Sequence, residues 1–425
     1  MLDLRLLKEN PQIIKDMLEK RKLNFPINEL IALDKRRREL IAEMQQTKHK
    51  KNLITDRIAF NKKNNDDSTE ELQEMKVIAS EILSLEEEKK TVESKFKDLM
   101  MMLPNMVDKS VPIGDDETDN VVVKQKEINK NLRFKPRDHV DILTRLGLID
   151  LERAAKISGS RFYFLKNQLV MMNQALIHFA LKFLSEKGYT LAQPPYMIRR
   201  AAMEGAVILE DFEDVIYKIE TDDLYLIGTS EHAIASMHMD EILDGNKLPI
   251  RYAGVSPCFR KEAGAHGKDM KGIFRVHQFE KVEQFVYSRP EYSGEEHYNM
   301  LTATEEFYEK LGIPYRVVLL CSAELGKVSE KTYDLEAWMP GQNAYREIGS
   351  CSNCTDYQSR RLRIRFRDKS NEETRFVHTL NSTLVATERT MVTIVENYQT
   401  VNGTVEVPDV LQRYMMDIKE ISLQN

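Results

Sequence analysis

One stretch of the chain combines arginine, aromatic and acidic residues at short spacing. Residues 259–262 read Phe-Arg-Lys-Glu, and after a loop residues 274–283 read Phe-Arg-Val-His-Gln-Phe-Glu-Lys-Val-Glu. If the second stretch is a strand, alternation places Arg275, Phe279 and Glu283 on one face. A guanidinium, a ring and a carboxylate on one surface can bind a phosphate, a flat aromatic group and an amine or hydroxyl. A solvated strand face would carry the same residues, so this stretch alone leaves both interpretations open.

Three further segments place hydroxyl, carboxylate and amide side chains next to apolar runs. Residues 228–231 read Gly-Thr-Ser-Glu and residues 345–353 read Tyr-Arg-Glu-Ile-Gly-Ser-Cys-Ser-Asn. Residues 380–390 read Leu-Asn-Ser-Thr-Leu-Val-Ala-Thr-Glu-Arg-Thr, and we predict that they open a helix that continues to Gln399. These segments widen the set of polar groups available to one site.

The common nucleotide and metal motifs are absent from the sequence. It contains neither a GxxxxGK[ST] phosphate loop nor a GxGxxG pattern, and the Gly- and Lys-rich residues 264–272 match neither. We expect residues 264–272 to form a mobile loop. Cys351 and Cys354 form a CxxC pair, but zinc needs a second ligand pair, and Cys258 and Cys321 stand alone. We therefore expect reduced structural thiols and no zinc.

Residues 28–99 have the composition of long helices. They contain no Gly or Pro, and their apolar residues recur at steps of three and four, which is a heptad-like pattern. The polar residues 61–68 interrupt this pattern, and Ser68 is the predicted N-cap of the second arm, with Glu71 three residues on. The pattern predicts an antiparallel helical hairpin with arms of about 30 residues, each about 45 Å long.

Charge is divided unevenly between the two arms. Residues 35–63 carry a net charge of +7, and residues 66–98 carry a net charge of −6. One interpretation is ion pairing between the arms, with the remaining charges solvated. The other is a basic face that binds a phosphate backbone. Charge alone favours the first interpretation.

Beyond residue 105 the pattern changes from long helices to short strands. A polar connector is followed by an amphipathic helix over residues 166–187. Strand-like runs then occupy residues 190–193, 223–227, 274–279, 284–287, 315–320, 331–338 and 361–367. Few helix-length segments separate the later runs, which favours an antiparallel sheet with flanking helices over a doubly wound parallel sheet. We therefore predict an α+β protein with a helical hairpin domain, a connector and a sheet domain, at residues 1–105, 106–135 and 136–425.

The composition fits a globular protein of two or three domains. The 425 residues are 42% hydrophobic and 31% charged, and the net charge of −6 excludes a wholly basic nucleic-acid binder. The sequence has no apolar run of about 18 residues, so we expect no membrane span. The first residues lack the features of a signal peptide, and four cysteines are too few for a disulfide framework. We expect a cytoplasmic protein.

Taken together, the four segments and the hairpin resemble the seryl-tRNA synthetases, a family of class II aminoacyl-tRNA synthetases. The resemblance covers the whole chain, and the order and spacing of its parts are specific. Motif 1 corresponds to the helix that ends near Lys187 with Pro195 after it. Motif 2 corresponds to residues 259–283, and motif 3 to residues 381–389.

The chain departs from the family pattern at two places. Ser382, Leu384 and Glu388 stand where motif 3 often has glycines, which leaves the local backbone path open. Cys354 lies outside the usual Cys-Ser-Asn of the family.

The resemblance implies a role for each site residue. Arg260 and Arg389 are the implied catalytic residues, and Arg260 would bridge the serine carboxylate and the α-phosphate. The residues implied in ATP binding are Arg260, Lys261, Glu262, Arg275, Phe279, Glu347, Ile348, Gly349, Ser350 and Arg389. The residues implied in serine binding are Thr229, Ser230, Glu231, Arg260, Glu283, Asn381 and Thr383. Glu347 and Ser350 are the implied oxygen ligands of Mg²⁺.

The adenine and phosphate contacts follow from the same resemblance. Glu262 would accept a hydrogen bond from the adenine amino group. Phe279 and Arg389 would sandwich the adenine ring, and Arg275 and Arg389 would reach the γ-phosphate.

The implied activity is ATP-dependent activation of L-serine and its transfer to the 3′ end of serine tRNA by a homodimer. The basic first arm, with Lys48, Lys50 and Lys51, would bind the tRNA, which reverses the preference drawn from charge alone. Whether selenocysteine tRNA is also an acceptor stays open. A class II ligase that loads an amino acid onto a carrier protein is one alternative, but such relatives are expected to lack the long hairpin. A coiled-coil interaction protein with an inactive synthetase domain is another, and the intact Arg260 and Arg389 argue against it.

Overall fold

The structure is a computed structural model, which describes residues 1–128, 132–209, 214–262, 271–369 and 372–423. The chain divides into two compact units. One comprises Leu2–Glu19 and Leu23–Leu103, and the other comprises Met1, Lys20–Lys22 and Pro104–Asn425. No helix among the described residues has the length and apolar character needed to cross a bilayer. The sequence-based domain limits stay predictions.

The N-terminal residues are helical. Their helices are α1 (Leu4–Glu9), α2 (Pro11–Lys20), α3 (Ile27–Asn64) and α4 (Thr69–Met102). The arms α3 and α4 have 38 and 34 residues, so they are longer than predicted. The first arm continues into the polar residues 61–68 as far as Asn64. The next residue, Asn65, ends the helix with a left-handed φ of 60°. Asn tolerates this conformation better than most residues, which the sequence pattern did not reveal.

The start of α4 differs in detail from the predicted cap. Ser68 occupies the N-cap position, but its side chain makes no capping hydrogen bond. Instead, Asp67 Oδ1 accepts a hydrogen bond from the Thr69 N–H at 3.1 Å. The capping acceptor therefore lies one residue earlier than predicted.

The two arms pack together through an apolar seam and through ion pairs. The buried side chains of α3 and α4 are Leu30, Asp34, Leu40, Met44, Thr47, Ile54, Ile78, Phe96 and Met100. Arg36 Nε lies 2.8 Å from Glu88 Oε1, and Lys48 Nζ lies 3.6 Å from Glu86 Oε1. Lys50 and Lys51 are exposed and make no ion pair with any residue that the structure describes. Inter-arm pairing thus engages only part of the basic first arm.

The remaining helices are short except for two. They are α5 (His139–Arg145), α6 (Leu151–Ser158), α7 (Gln168–Glu186), α8 (Arg200–Ala206), α9 (Ser230–Ala235), α10 (Ser293–Lys310), α11 (Tyr357–Leu362), α12 (Thr387–Asn397) and α13 (Asp409–Gln412). The long helix α7 matches the amphipathic helix predicted at residues 166–187. Phe179 of α7 and Phe307 of α10 stack with ring centroids 4.9 Å apart inside the main hydrophobic core.

Strands occupy much of the second unit. They are β1 (Val121–Lys126), β2 (Ile149–Asp150), β3 (Phe164–Leu165), β4 (Thr190–Ala192), β5 (Met197–Arg199), β6 (Lys218–Ile219), β7 (Leu224–Leu226), β8 (Ile242–Asp244), β9 (Ile250–Phe259), β10 (Gln278–Ser288), β11 (Tyr315–Leu319), β12 (Lys331–Met339), β13 (Ala344–Asn353), β14 (Arg365–Arg367), β15 (Arg375–Phe376), β16 (His378–Ala386), β17 (Val405–Glu406) and β18 (Glu420–Ile421).

Eight of these strands form one large sheet. Its order is β1-β11-β12-β13-β16-β10-β9-β4, and every neighbouring pair is antiparallel except β4 with β9. Long helices pack against this sheet, because α7 contacts β9, β10 and β16 while α10 contacts β13 and β16. The predicted α+β class, with an antiparallel sheet and flanking helices, is confirmed.

Three local predictions about the sheet were wrong. Residues 361–367 were predicted as one strand, but Arg361 belongs to α11 and Arg363 ends that helix with a left-handed φ of 55°. Arg361 donates a hydrogen bond to the Val207 carbonyl at 2.7 Å, so the arginines of this segment do not share a strand face. A helix of six residues leaves too short a pattern to distinguish from alternation.

The other two errors concern strand limits near the predicted motifs. The strand predicted at residues 274–279 begins only at Gln278, so Arg275 precedes β10 instead of sharing a strand face with Glu283. The helix predicted to open at residue 380 begins at Thr387, because residues 378–386 form the buried strand β16. The β-branched and small residues of this segment suit a strand covered on both faces.

Candidate active site

Residues far apart in sequence meet around the central strands of the large sheet. Arg260 follows the last residue of β9, and Thr229 caps α9 by accepting a hydrogen bond from the Glu231 N–H at 3.2 Å. Antiparallel pairing sets Glu283 of β10 opposite Thr383 of β16. The register of this pair shifts next to Glu283, as in a β-bulge, a feature that re-aims side chains near active sites.

Glu283 is the most deeply buried charge of the predicted serine site. Its side chain is 1% exposed, and its Oε2 accepts a hydrogen bond from Thr383 Oγ1 at 3.2 Å. Lys281 forms an ion pair with the same carboxylate, and its Nζ lies 3.3 Å from Thr383 Oγ1. The ammonium group of Lys281, the carboxylate of Glu283 and the hydroxyl of Thr383 thus each contact the other two.

Lys281 was missed as a functional residue by the sequence analysis. A signal was available, because alternation from Phe279 places residues 281 and 283 on the same strand face. Its side chain is only 7% exposed, which is rare for a lysine unless it is paired.

A second carboxylate, Glu231, lies beside the first. Its Oε1 accepts hydrogen bonds from Gln358 Nε2 at 3.0 Å and from Asn381 Nδ2 at 3.2 Å. Burial, together with the negative charge of Glu283, raises the pKa of Glu231 to about 7. A positively charged group placed between these two carboxylates would stabilise the ionised form of Glu231.

Ser230 points away from this pocket. Its hydroxyl donates to the Gly254 carbonyl at 3.2 Å and is fully buried. Gly254 allows the approach, because a Cβ there would lie 2.6 Å from Ser230 Oγ. Ser230 therefore attaches α9 to β9 in this structure, and its predicted contact with serine stays a prediction.

A cluster of arginines and rings lies next to the pocket. Arg260 has its guanidinium carbon 5.2 Å from the centre of the Phe279 ring, and its Nε donates to the Gly228 carbonyl at 3.2 Å. Arg275 Nε donates to Glu262 Oε2 at 2.6 Å. These residues also line one cavity with Phe274, Val276, Ala386, Glu388 and Arg389.

Arg389 reaches from the first turn of α12 to β13. Its Nη1 lies 2.9 Å from Glu347 Oε1 and 3.1 Å from the Glu347 carbonyl oxygen. Its guanidinium carbon is 5.2 Å from the centre of the Phe274 ring. The ring beneath Arg389 is thus Phe274, whereas Phe279 is covered by Arg260.

Three other residues of the predicted ATP site, Lys261, Ile348 and Gly349, make contacts that hold the fold together. Lys261 donates its N–H to the Val215 carbonyl at 2.6 Å. Ile348 is fully buried in the main core. Gly349 lies so close to Thr383 that an added Cβ would be 3.1 Å from the threonine backbone oxygen.

Oxygen groups collect near Glu347. Asp334 lies opposite Ser350 in the β12–β13 ladder, and both line one cavity with Glu347. Burial raises the pKa of Asp334, and the charge of Glu347 raises it further. The positive charge of Arg389 lowers the pKa of Glu347. Asp334 Oδ1 is buried and has no hydrogen-bond partner among the described residues, so this donor set fits a hard cation such as Mg²⁺.

The cysteines are buried and separately bonded. Cys354 Sγ accepts a hydrogen bond from Asn381 Nδ2 at 3.5 Å, and Cys351 Sγ donates to the His297 carbonyl at 3.7 Å. Burial raises the pKa of Cys351 to about 12. Within the described ranges, no group of three or more His, Cys, Asp and Glu side chains is arranged to hold a metal ion. Most of the predicted loop at residues 264–272 lies outside the described residues.

Comparisons with known proteins match the chain along its length. The family "Seryl-tRNA synthetase N-terminal domain" matches residues 1–107, and "tRNA synthetase class II core domain (G, H, P, S and T)" matches residues 215–398. A serine–tRNA ligase of Nitrosopumilus maritimus is 58% identical over 421 residues, which cover 99% of this chain and 100% of that protein. The chain belongs to the seryl-tRNA synthetase family. The resemblance drawn from the motifs is confirmed.

Solved structures of seryl-tRNA synthetases share the architecture. The structure of the Pyrococcus horikoshii enzyme complexed with ATP has a TM-score of 0.93 at 48% identity and covers 100% of both chains. A serine–tRNA ligase from Naegleria fowleri in complex with AMP has a TM-score of 0.89 at 37% identity, covering 100% of this chain and 99% of that one. Both matches cover the whole of this chain, including the long hairpin, which argues against the carrier-protein ligase.

Lys281→Met tests the role of the missed lysine. We expect the KM for serine to rise at least about tenfold, because Glu283 is left as an unpaired buried charge. The KM for ATP should change less than about twofold, since the arginine cluster is retained. The measurement is serine- and ATP-dependent ATP–pyrophosphate exchange, with Lys310→Met on the exposed end of α10 as the matched control. An unchanged KM for serine in a folded Lys281→Met protein would exclude this role.

Proposed function

We propose that this chain is a serine–tRNA ligase that forms seryl-adenylate from L-serine and ATP and transfers serine to the 3′ end of serine tRNA. The observation that carries the proposal is the buried polar pocket of Glu283, Thr383 and Glu231 next to Arg260, in a seryl-tRNA synthetase scaffold. Seryl-tRNA synthetases are the relatives that this chain matches over nearly its full length.

The pocket offers a complementary group for each polar atom of serine. The carboxylate of Glu231 and the amide of Asn381, with Thr229, would hold the ammonium group. Glu283 and Thr383 would bond the hydroxyl, and Arg260 would pair with the carboxylate. A pocket that hydrogen-bonds a substrate hydroxyl discriminates against the analogue that lacks it by up to about 10⁴–10⁵, because its own polar groups stay unpaired. We therefore expect the pocket to reject alanine.

The chemical step needs no general base from the protein, because the serine carboxylate is already a nucleophile. Its oxygen attacks the α-phosphorus of ATP, the bond to the β-phosphate oxygen breaks, and pyrophosphate leaves with the bonding electrons. Arg260 and Arg389 are the residues placed to stabilise the charge that gathers in this step. In the second step the ribose hydroxyl oxygen at the tRNA 3′ end attacks the adenylate carbonyl carbon, the bond from this carbon to the phosphate oxygen breaks, and AMP leaves while the hydroxyl proton passes to the phosphate or to solvent.

The nucleotide site requires a rearrangement of existing contacts. Arg275 presently bonds Glu262, so binding of adenine by Glu262 and of phosphate by Arg275 would separate this pair. Phe279 offers a ring for stacking with adenine once Arg260 turns towards the reacting groups. We assign Lys261, Ile348 and Gly349 to the walls of this site.

Glu347 and Ser350 would hold Mg²⁺, with Asp334 beside them. A bound Mg²⁺ would neutralise charge on the ATP phosphates and orient them. The unpartnered Asp334 oxygen supports this assignment, because a buried carboxylate oxygen needs a cation or a donor.

We assign tRNA binding to the helical hairpin and catalysis to the sheet domain, with the limits predicted from the sequence. The first arm is basic, and its Lys50 and Lys51 are exposed. We further propose a homodimer that acts in the cytoplasm, where its four buried free thiols would stay reduced.

The activity is tested by ATP–pyrophosphate exchange with a panel of amino acids. Exchange should require serine and Mg²⁺, and Arg260→Ala should reduce it at least about 100-fold, the loss typical of one transition-state contact. Arg153→Ala is the matched control, because this arginine is 80% exposed. Strong exchange with a different amino acid would overturn the serine assignment. Exchange without charging of serine tRNA would instead favour a carrier-protein ligase.

The pH dependence of serine binding should follow Glu231. Its pKa is raised to about 7, and only the ionised form attracts the serine ammonium group. As the pH falls below this value the carboxyl group is protonated, so the KM for serine should rise about tenfold per pH unit. The measurement is the KM for serine in exchange assays between about pH 5.5 and pH 8. Glu231→Gln should weaken binding and flatten this profile, and an unaltered slope in that variant would assign the titration to another group.

Joint replacement of Lys48, Lys50 and Lys51 by alanine tests the hairpin. Charging of serine tRNA should weaken mainly through the KM for tRNA, and its dependence on salt should flatten, because fewer phosphate charges are neutralised. Serine-dependent exchange without tRNA should stay unchanged. The matched control replaces three exposed lysines of α4, Lys76, Lys95 and Lys97, which removes the same charge from the acidic arm. Equal losses in both variants would show a general charge effect in place of a binding face on α3.

A further inference from the structure

Three consecutive residues between α6 and α7 contact both halves of the proposed nucleotide site. They are Arg161, Phe162 and Tyr163, which we name the strap. None of them is among the residues assigned to ATP, serine or tRNA above. Their contacts reach the segments on either side of the predicted motif 2 loop and the first turn of α12.

The strap fixes the backbone around Glu262. Arg161 Nη1 donates to the Glu262 carbonyl at 2.7 Å, and the His277 N–H donates to the Arg161 carbonyl at 3.1 Å. The rings of Phe162 and His277 lie 5.0 Å apart. Arg161 and Glu262 both have left-handed backbones, with φ of 61° and 48°. Left-handed backbones are strained for residues other than glycine, so this geometry persists only where neighbours hold it.

The strap also fixes the first turn of α12. The Tyr163 hydroxyl donates to Glu388 Oε1. The other oxygen, Glu388 Oε2, accepts from the Glu280 N–H at 3.0 Å and from Thr387 Oγ1 at 2.9 Å. Glu388 is 2% exposed, so these three donors replace water around its carboxylate. The next residue is Arg389, whose guanidinium group binds Glu347.

We propose that the strap is a positioning element of the nucleotide site, in which Tyr163, without touching ATP, sets the affinity for it through Glu388, which lines the same cavity as the arginine cluster. Through Arg161 the strap holds the Glu262 side of the site, and through Tyr163 it holds the turn that carries Arg389. Both sides must keep their separation if one nucleotide is to contact both. Removing the Tyr163 hydroxyl leaves Glu388 Oε1 buried without a donor, and the carboxylate then moves and shifts the start of α12.

This inference rests on the proposed ATP-dependent function and is tested with Tyr163→Phe in the full chain. We measure ATP affinity by calorimetric titration without serine, the KM values for ATP and serine in exchange assays, and the temperature of unfolding. ATP affinity should fall and the KM for ATP should rise about five- to twentyfold, which corresponds to one buried hydrogen bond with its unsatisfied partner. The KM for serine should stay within about twofold, because the Tyr163 hydroxyl bonds Glu388, which is not one of the residues assigned to serine.

Tyr308→Phe is the matched control. Tyr308 is 1% exposed, and its hydroxyl lies 2.9 Å from Thr390 Oγ1 on the same helix α12, so this variant also removes one buried hydrogen bond. It should lower the temperature of unfolding as much as Tyr163→Phe and leave ATP affinity within about twofold. Glu388→Gln should weaken ATP binding, and combining it with Tyr163→Phe should add little, since both act through one contact.

Two outcomes would overturn the proposal. Tyr163→Phe could lose stability while keeping ATP affinity and both KM values, which would make the strap a purely structural element. Alternatively, Tyr308→Phe could weaken ATP binding as much as Tyr163→Phe, which would show a general sensitivity of α12. Absence of serine-dependent exchange in the unmodified chain would contradict the proposed function instead. The role of the strap would still be tested by comparing the calorimetric ATP affinities of the variants and the unmodified chain.

Discussion

A negative charge held in the middle of a β-sheet is the constraint on which the site depends. Glu283 lies on β10 between β9 and β16 and is almost fully buried. An unpaired carboxylate in such a place costs several kcal/mol. Lys281 lies two residues earlier on the same face, and Thr383 lies opposite through strand pairing. The cation and the hydroxyl that offset the cost of burying Glu283 therefore both come from strands of the sheet. A register slip of one residue would turn these side chains to the other face and leave the charge unpaired.

The pairing of Lys281 with Glu283 also decides the surroundings of the second carboxylate, Glu231. Lys281 pairs with Glu283, and among the described residues Glu231 is hydrogen-bonded by neutral donors, the amides of Gln358 and Asn381. Burial, and after it the negative charge of Glu283, raises the pKa of Glu231. In the proposed function a substrate ammonium group would pair with Glu231, whereas an uncharged analogue would leave this buried carboxylate without a cation. In the proposed function, affinity for an amino acid would thus arise in part from this unpaired carboxylate, with Arg260 pairing with the substrate carboxylate.

The sequence allowed the helical hairpin and the α+β class to be predicted, and its motifs singled out most of the residues that meet at the candidate site, because these depend on local periodicity and on recognisable motifs. Local pattern failed where short elements compete, as at Arg361, which belongs to a single helical turn. It also failed for contacts between distant segments. Alternation along the strand could have placed Lys281 beside Glu283. Tyr163 and Glu388, by contrast, are separated by 225 residues, and no local rule predicts their contact. The bulge beside Glu283 likewise depends on how two strands pair.

The neighbouring charges of Glu388 and Arg389 show how local geometry and long-range contacts combine. Successive helical residues point about 100° apart, so the two side chains leave α12 in different directions. Arg389 turns towards Glu347 on β13, whereas Glu388 turns towards Tyr163 and the backbone of Glu280. Where motif 3 often has a glycine, this chain buries a carboxylate, and a buried carboxylate requires donors. Because those donors come from the strap, from β10 and from the helix start, a local departure from glycine ties three distant segments together.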